Sequence, residues 1–246
     1  MRTGSVTLIE FLSGRYGELL LKGLIVTLQL SGVTLAASFV IGVVLTLIRL
    51  SPLWIVQQAV GLLVDAIRSV PLLVHVIFWY FGAPELLPDG LRMWLYARDV
   101  NFICAAVAIS IYAGAFISED LRSGLRSIPR GQSEASLSLG FSGFETFRYI
   151  ILPQAFRITV PPLLGQAMTL TKNTSIALMI GVPELVYQAR RIQDITYEPL
   201  MPYASATLVY VVICALLTLA SRAYSRTALS HRTEPERTPA TREQSA

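Results

Sequence analysis

The chain alternates long apolar runs with short stretches that carry nearly all of its charge. Runs at about 20–48, 54–82, 101–121, 157–181 and 203–224 each reach the roughly 20 residues needed to cross a hydrocarbon core. The pattern predicts an all-α integral membrane protein of about five transmembrane helices, with no room for a separate soluble domain. Between the third and fourth runs, Ile128-Pro129 breaks the chain, and Gly131 to Leu139 is small or helix-favouring. Gly140 can take a positive φ and end a helix. Phe144, Phe147, Ile150 and Ile151 then recur at helical spacing, and Pro153 closes that piece. Two short helices with a glycine corner, lying across the membrane surface, are expected there. The stretches 83–100 and 182–202, rich in Pro, Glu and aromatic residues, are expected to hold short re-entrant or interfacial helices.

Composition supports the membrane reading. Hydrophobic residues make up 53 % and charged residues 15 %, against about 25 % charged in soluble domains. The net charge of +4 is not a nucleic-acid signal, because the arginines fall between the spans and in the tail, where they set topology. Arg49, Arg122, Arg126, Arg130, Arg148, Arg157, Arg222, Arg226, Arg232, Arg237 and Arg242 sort to one side of the membrane. Arg2, Arg15, Lys22, Arg92, Arg98, Arg190 and Arg191 sort to the other. The larger set marks the cytoplasm. The expected organisation is an extracytoplasmic segment 1–19, a membrane domain 20–224 and a disordered cytoplasmic tail 225–246. The loop 122–156 is then cytoplasmic. Glu10 and Glu18 with no apolar core of their own argue against a cleavable signal peptide. Cys104 and Cys214 lack metal-ligand spacing and read as packing residues.

Ionisable groups at membrane depth are functional candidates. Lys172 lies about fifteen residues, ~22 Å, into the fourth run, followed by Asn173, Thr174 and Ser175. Two readings stand open. Lys172 snorkels while the hydroxyls bond back to their own helix, or Lys172 and Asn173 line a solute path between two subunits. Glu119 and Asp120 beside Arg122 are expected near the cytoplasmic interface with salt-bridge partners, Glu119 alternatively closing an inner gate. His75 reads as a hydrogen-bonded packing residue, and Asp65 and Arg68 are spaced to pair. No G-x-x-x-x-G-K-[ST] phosphate loop, HExxH, GxSxG or paired Asp motif is present. An enzyme reading has no support, and any ATP must be hydrolysed by a partner. An ion-coupled carrier working alone stands as the alternative, although the internal repeats common in that class are missing.

Glu134-Ala135-Ser136, then Gly140, then Ile150-Ile151-Leu152-Pro153-Gln154 resemble the EAA loop of permease subunits of ATP-binding-cassette importers. Ser136 stands where a second Ala is usual. "RSVPLLVHVIFWYFGAPELLP", "RSIPRGQ" and "KNTSIALMIGVPEL" resemble the polar amino acid branch, and "PELLPDGLRMW" and "QARRIQD" resemble permeases for glutamate and aspartate. The resemblance implies an inner-membrane permease subunit without cofactor. It would pair with a second permease subunit, the same or homologous, and be driven by a cytoplasmic ATPase dimer. An extracytoplasmic solute-binding protein would feed it an amino acid. It implies that the loop at about 127–153 couples to the ATPase, with Glu134, Ala135 and Ser136 at the contact and Gly140 shaping the corner. Lys172, Asn173, Thr174 and Glu119 would line the substrate path. Related permeases often read Lys-Asp-Thr-Ser where this chain reads Lys-Asn-Thr-Ser. The amide leaves the lysine uncompensated and favours an anionic solute. Glutamine, histidine or arginine transport is the alternative within the family.

Overall fold

The computed structural model describes residues 14–229. Nine helices carry the architecture. They are α1 (Arg15–Arg49), α2 (Trp54–Ser69), α3 (Leu72–Ile77), α4 (Asp89–Tyr96), α5 (Val100–Arg126), α6 (Arg130–Ser138), α7 (Leu152–Asn173), α8 (Leu185–Thr196) and α9 (Leu200–Leu229). No strand occurs among the described residues. Most of the N-terminal segment and the tail from residue 230 lie outside them.

Helices α1 and α5 form the centre, joined by small residues. A Cβ added to Gly42 would come within 2.5 Å of Ile117, and one added to Gly114 within 2.6 Å of Ile41. The buried face of α1 runs Gly23, Thr27, Ser31, Thr34, Ser38, Gly42 and Thr46, three or four residues apart. Lipid tails are as apolar as leucine, so close backbone packing drives helix association. The hydroxyls on this face are satisfied within α1: Ser31 donates to the Thr27 carbonyl at 2.7 Å, Thr34 to that of Leu30 at 2.7 Å and Thr46 to that of Gly42 at 2.8 Å. Most large residues of α1, among them Leu21, Leu28, Val40 and Leu47, face outward, and Leu20 and Leu30 face in. The apolar window of α5 is 56 % buried and that of α9 only 11 %, so α5 is core and α9 periphery.

The two central helices run in the same direction, since Gly42 meets Ile117, the Thr46 hydroxyl donates to the Ser118 carbonyl at 3.2 Å and Arg49 pairs with Glu119. At the other end of α1, the Leu185 amide donates to the Thr27 hydroxyl at 3.1 Å. The segment around α6 and the segment around α8 therefore occupy opposite ends of the bundle, as the charge sorting requires.

The expected span 54–82 is not one helix. Val70, preceding Pro71, is extended (φ −91°, ψ 132°), and the segments Trp54–Ser69 and Leu72–Leu86 meet at 99°. Proline disfavours helical geometry in the residue before it. The fourth run is α7, which tolerates Pro161 and Pro162 in its interior and gives way at Thr174 to a 3-10 segment ending on Gly181 at φ 82°. Contrary to the expectation that Pro153 closes the preceding piece, it sits in the first turn of α7, directly after the π-helical stretch 146–151. Among the described residues three helices are long and apolar enough to cross a membrane, four if the bent pair counts as one span. The short helices expected in 83–100 and 182–202 are α4 and α8.

Gly114→Val is expected to lower the thermal unfolding midpoint in detergent, at a cost of about 1–3 kcal/mol for overpacking the α1–α5 seam. Gly32→Ala, with open space around it, should leave the midpoint unchanged or raise it.

Candidate functional site

The segment 130–151 folds as an elbow. Helix α6 ends in a paired-carbonyl cap: the Phe141 amide donates to the Ser136 carbonyl at 3.2 Å and the Gly140 amide to that of Leu137 at 3.0 Å. Gly140 takes φ 90°, the conformation the sequence assigned to it. Ser142 opens the next helical turn with a reciprocal cap: its hydroxyl accepts from the Glu145 amide at 3.3 Å, and the Glu145 carboxylate accepts from the Ser142 amide at 2.8 Å. A π-helical stretch, Thr146–Ile151, leads without a break into α7. One bond ties the two arms, between the hydroxyls of buried Ser136 and Thr146 at 3.0 Å. Glu134 and Ala135 are exposed, beside an outward ledge of Leu139 (78 % exposed) and Phe144 (73 %).

The four residues of the expected path do not form one cluster. Lys172 is exposed at the end of α7 and has no ion-pair partner among the described residues. Ser175 donates back to its carbonyl at 2.7 Å. Asn173 lines an open-sided cavity of about 150 Å³ between α5 and α7, with Tyr112, Phe116, Gln166 and Thr169. Gln166 donates to the Asp120 carboxylate at 2.9 Å, an amide in place of the expected salt-bridge partner. Thr174 turns inward instead. It is fully buried, with its hydroxyl bonded to the Thr171 carbonyl at 2.8 Å. Glu119 is locked between two cations, Arg122 at 2.6 Å and Arg49. The arginine on its own helix was legible from spacing, but Arg49, seventy residues away, was not.

Arg68 and Asp65 pair only loosely at 3.9 Å, and the Arg68 guanidinium lies 4.9 Å from the Phe116 ring centre. His75 behaves as expected: Nε2 bonds the Ile67 carbonyl at 3.0 Å, and the ring packs edge-on to Tyr112.

At the other end of the bundle sits a residue that the sequence reading passed over. Glu184 is fully buried at the N-terminus of α8. Its carboxylate accepts from the amides of Tyr187 (2.8 Å) and Val186 (2.9 Å) and from the Tyr210 hydroxyl (3.2 Å). Burial outweighs these donors and pushes its pKa up from 4.5 to about 7. Its only sequence signal was an acid directly before a helical pattern.

A family described as "Binding-protein-dependent transport system inner membrane component" matches residues 38–229. The glutamate/aspartate import permease protein GltJ of Escherichia coli strain K12 is 33 % identical over 202 residues, covering 80 % of this chain and 82 % of that one. The probable glutamine ABC transporter permease protein GlnP of Bacillus subtilis strain 168 is 35 % identical over 203 residues, covering 81 % and 89 %. A chain from the crystal structure of an amino acid ABC transporter with histidines superposes with a TM-score of 0.79 at 25 % identity, covering 92 % of this chain and all of that one.

Two outcomes follow from the geometry. Because the folded-state pKa of Glu184 is raised, the folded state holds its proton more tightly than the unfolded chain. The stability it contributes is complete below about pH 4.5 and is lost as pH rises through about 7, on the order of 3 kcal/mol. Unfolding midpoints measured across that window should fall with rising pH, and Glu184→Gln should flatten the slope. At Gly140, where no atom crowds an added Cβ, conformation alone sets the cost. Alanine should cost about 1 kcal/mol and valine more, read as faster chymotryptic cleavage around Phe141.

Proposed function

The chain belongs to the family of inner membrane components of binding-protein-dependent transport systems, and from that premise we propose that it carries glutamate or aspartate. It is a permease subunit of an ATP-binding-cassette importer for polar amino acids, not an enzyme, and ATP is hydrolysed by a separate subunit. The observation that carries the acidic solute is the pair Lys172–Asn173. Lys172 is a cation without a partner among the described residues, and its neighbour at the cavity is an amide. A carboxylate passing Lys172 is attracted, with nothing beside it to cancel the charge. Glu119 belongs to the same path as its inner closure, held by Arg49 and Arg122. Thr174 backs the wall from inside.

The elbow at 130–151 is the coupling element. Glu134 and the small residues Ala135 and Ser136 share α6, and the apolar ledge of Leu139 and Phe144 gives a docked ATPase something to grip. The end of the bundle holding α6 is cytoplasmic, and the end holding α8 is outside. Two permease subunits enclose the path, and a solute-binding protein delivers to it.

Lys172→Ala should reduce solute occupancy of the reconstituted permease and ATPase several-fold for glutamate and aspartate, and less for glutamine. Equal losses would make Lys172 structural and return a neutral solute such as glutamine as the better reading. Glu134→Lys should leave membrane expression intact while uptake falls; normal uptake would remove this residue from the coupling contact. A cysteine replacing Ser142 should react with impermeant thiol reagents only in opened cells, and one replacing Gln193 in intact ones.

A further inference from the structure

A second polar cavity, of about 250 Å³, lies between α1, α2 and α5 at the end of the bundle that holds α6. Arg49, Arg122 and Arg126 line it from α1 and α5, and Gln57, Gln58 and Asp65 from α2. Its charge is unbalanced. Glu119 holds both Arg49 and Arg122, while Asp65 is largely exposed and has only the loose pairing with Arg68. Arg126 has no ion-pair partner among the described residues. Gly61 leaves the α2 wall open: an added Cβ would touch the Arg49 guanidinium at 3.4 Å. Guanidinium forks flanked by side-chain amides form a donor set suited to the oxygens of a phosphate group.

We propose that this cavity binds the phosphate of an anionic phospholipid. Free phosphate would meet the same donors, but the surroundings favour the membrane source. Helix α2 stands at 99° to the segment after it, and Leu53, Trp54, Ile55, Leu62 and Leu63 on and beside it are all more than half exposed. An apolar face with a tryptophan near one end marks a helix lying in the membrane interface. Leu62 belongs to both surfaces: it lines the cavity and is 70 % exposed. The phosphate cavity thus opens directly onto the face along which acyl chains run, and basic pockets between membrane helices are suited to anionic headgroups.

The test uses the full chain with its ATPase partner, reconstituted in phosphatidylcholine with or without phosphatidylglycerol, or in phosphatidylcholine with millimolar inorganic phosphate. Phosphatidylglycerol retained per protein after mild detergent extraction should fall about fivefold in Arg126→Gln, the worth of one arginine at an anionic surface. Gly61→Leu, which fills the cavity without changing charge, should fall similarly. Arg190→Gln, with the same charge loss at an exposed position of α8 at the opposite end, should retain lipid like the wild type. Phosphatidylglycerol should raise the unfolding midpoint, and inorganic phosphate should not. Equal retention in Arg126→Gln and Arg190→Gln would overturn the site, and an inorganic phosphate effect as large as the lipid effect would overturn the membrane source.

Discussion

The close approach of α1 and α5 is the constraint on which the other positions depend. Two glycines, Gly42 and Gly114, each take the side chain of an isoleucine from the facing helix. A contact that tight has one register. It places Thr46 on Ser118 and Arg49 on Glu119, so a charged pair separated by seventy residues meets without any loop to guide it. In lipid this packing cannot lean on the hydrophobic effect between helices, which explains why small and hydroxylated residues dominate the inner face while most leucines and valines, Leu20 and Leu30 excepted, point out.

The same register separates two carboxylates, half-buried Glu119 and fully buried Glu184, that are handled in different ways. Glu119, at the end near α6, is held by two guanidinium groups, so its cost of burial is met by charge. Glu184, at the far end, has no cation among its contacts and relies on backbone amides at a helix start and one phenol. For Glu184 the neutral donors do not offset desolvation. Glu119 is therefore an ion-paired strut, whereas burial raises the pKa of Glu184 to about 7. Arg49 ties the first joint to the last turn of α1, and the Leu185 amide beside the second bonds Thr27, so α1 is held at two levels.

The sequence made some of this legible and hid the rest for physical reasons. Gly140 was readable because a positive φ nearly demands glycine, and the flanking short helices because their polarity departs from the spans. The bend at Pro71 was missed because hydropathy averages over a window and is blind to one residue's backbone. The α1–α5 seam was invisible for a related reason: in a membrane helix both faces are apolar enough, and only residue size tells inside from outside. Thr174 was placed on the path by adjacency to Lys172, but the helix narrows to 3-10 geometry there and turns the hydroxyl inward. Arg49, Glu184 and Tyr210 meet through tertiary contacts that no local pattern encodes.

The elbow and the cavity at Asn173 are linked by one continuous helical element. From the cap at Ser142, through the π stretch and α7, to Lys172 the backbone never leaves helical geometry, a length on the order of 40 Å. The arm that would receive an ATPase, α6, is fastened to the base of this rod by the Ser136–Thr146 bond. The rod crosses α5 where Gly124 leaves no room for a side chain against Thr159, a contact near the middle of its length. In the proposed coupling, a displacement of α6 enters at one end of the rod, turns about that crossing and reaches Asn173 at the other end with comparable size. A rigid elbow is what such a lever requires, since slack at the cap would absorb the stroke before it reached the cavity. The two interlocking caps around Gly140 serve the proposed coupling by stiffness, leaving the exposed residues of α6 free to be set by the partner they meet.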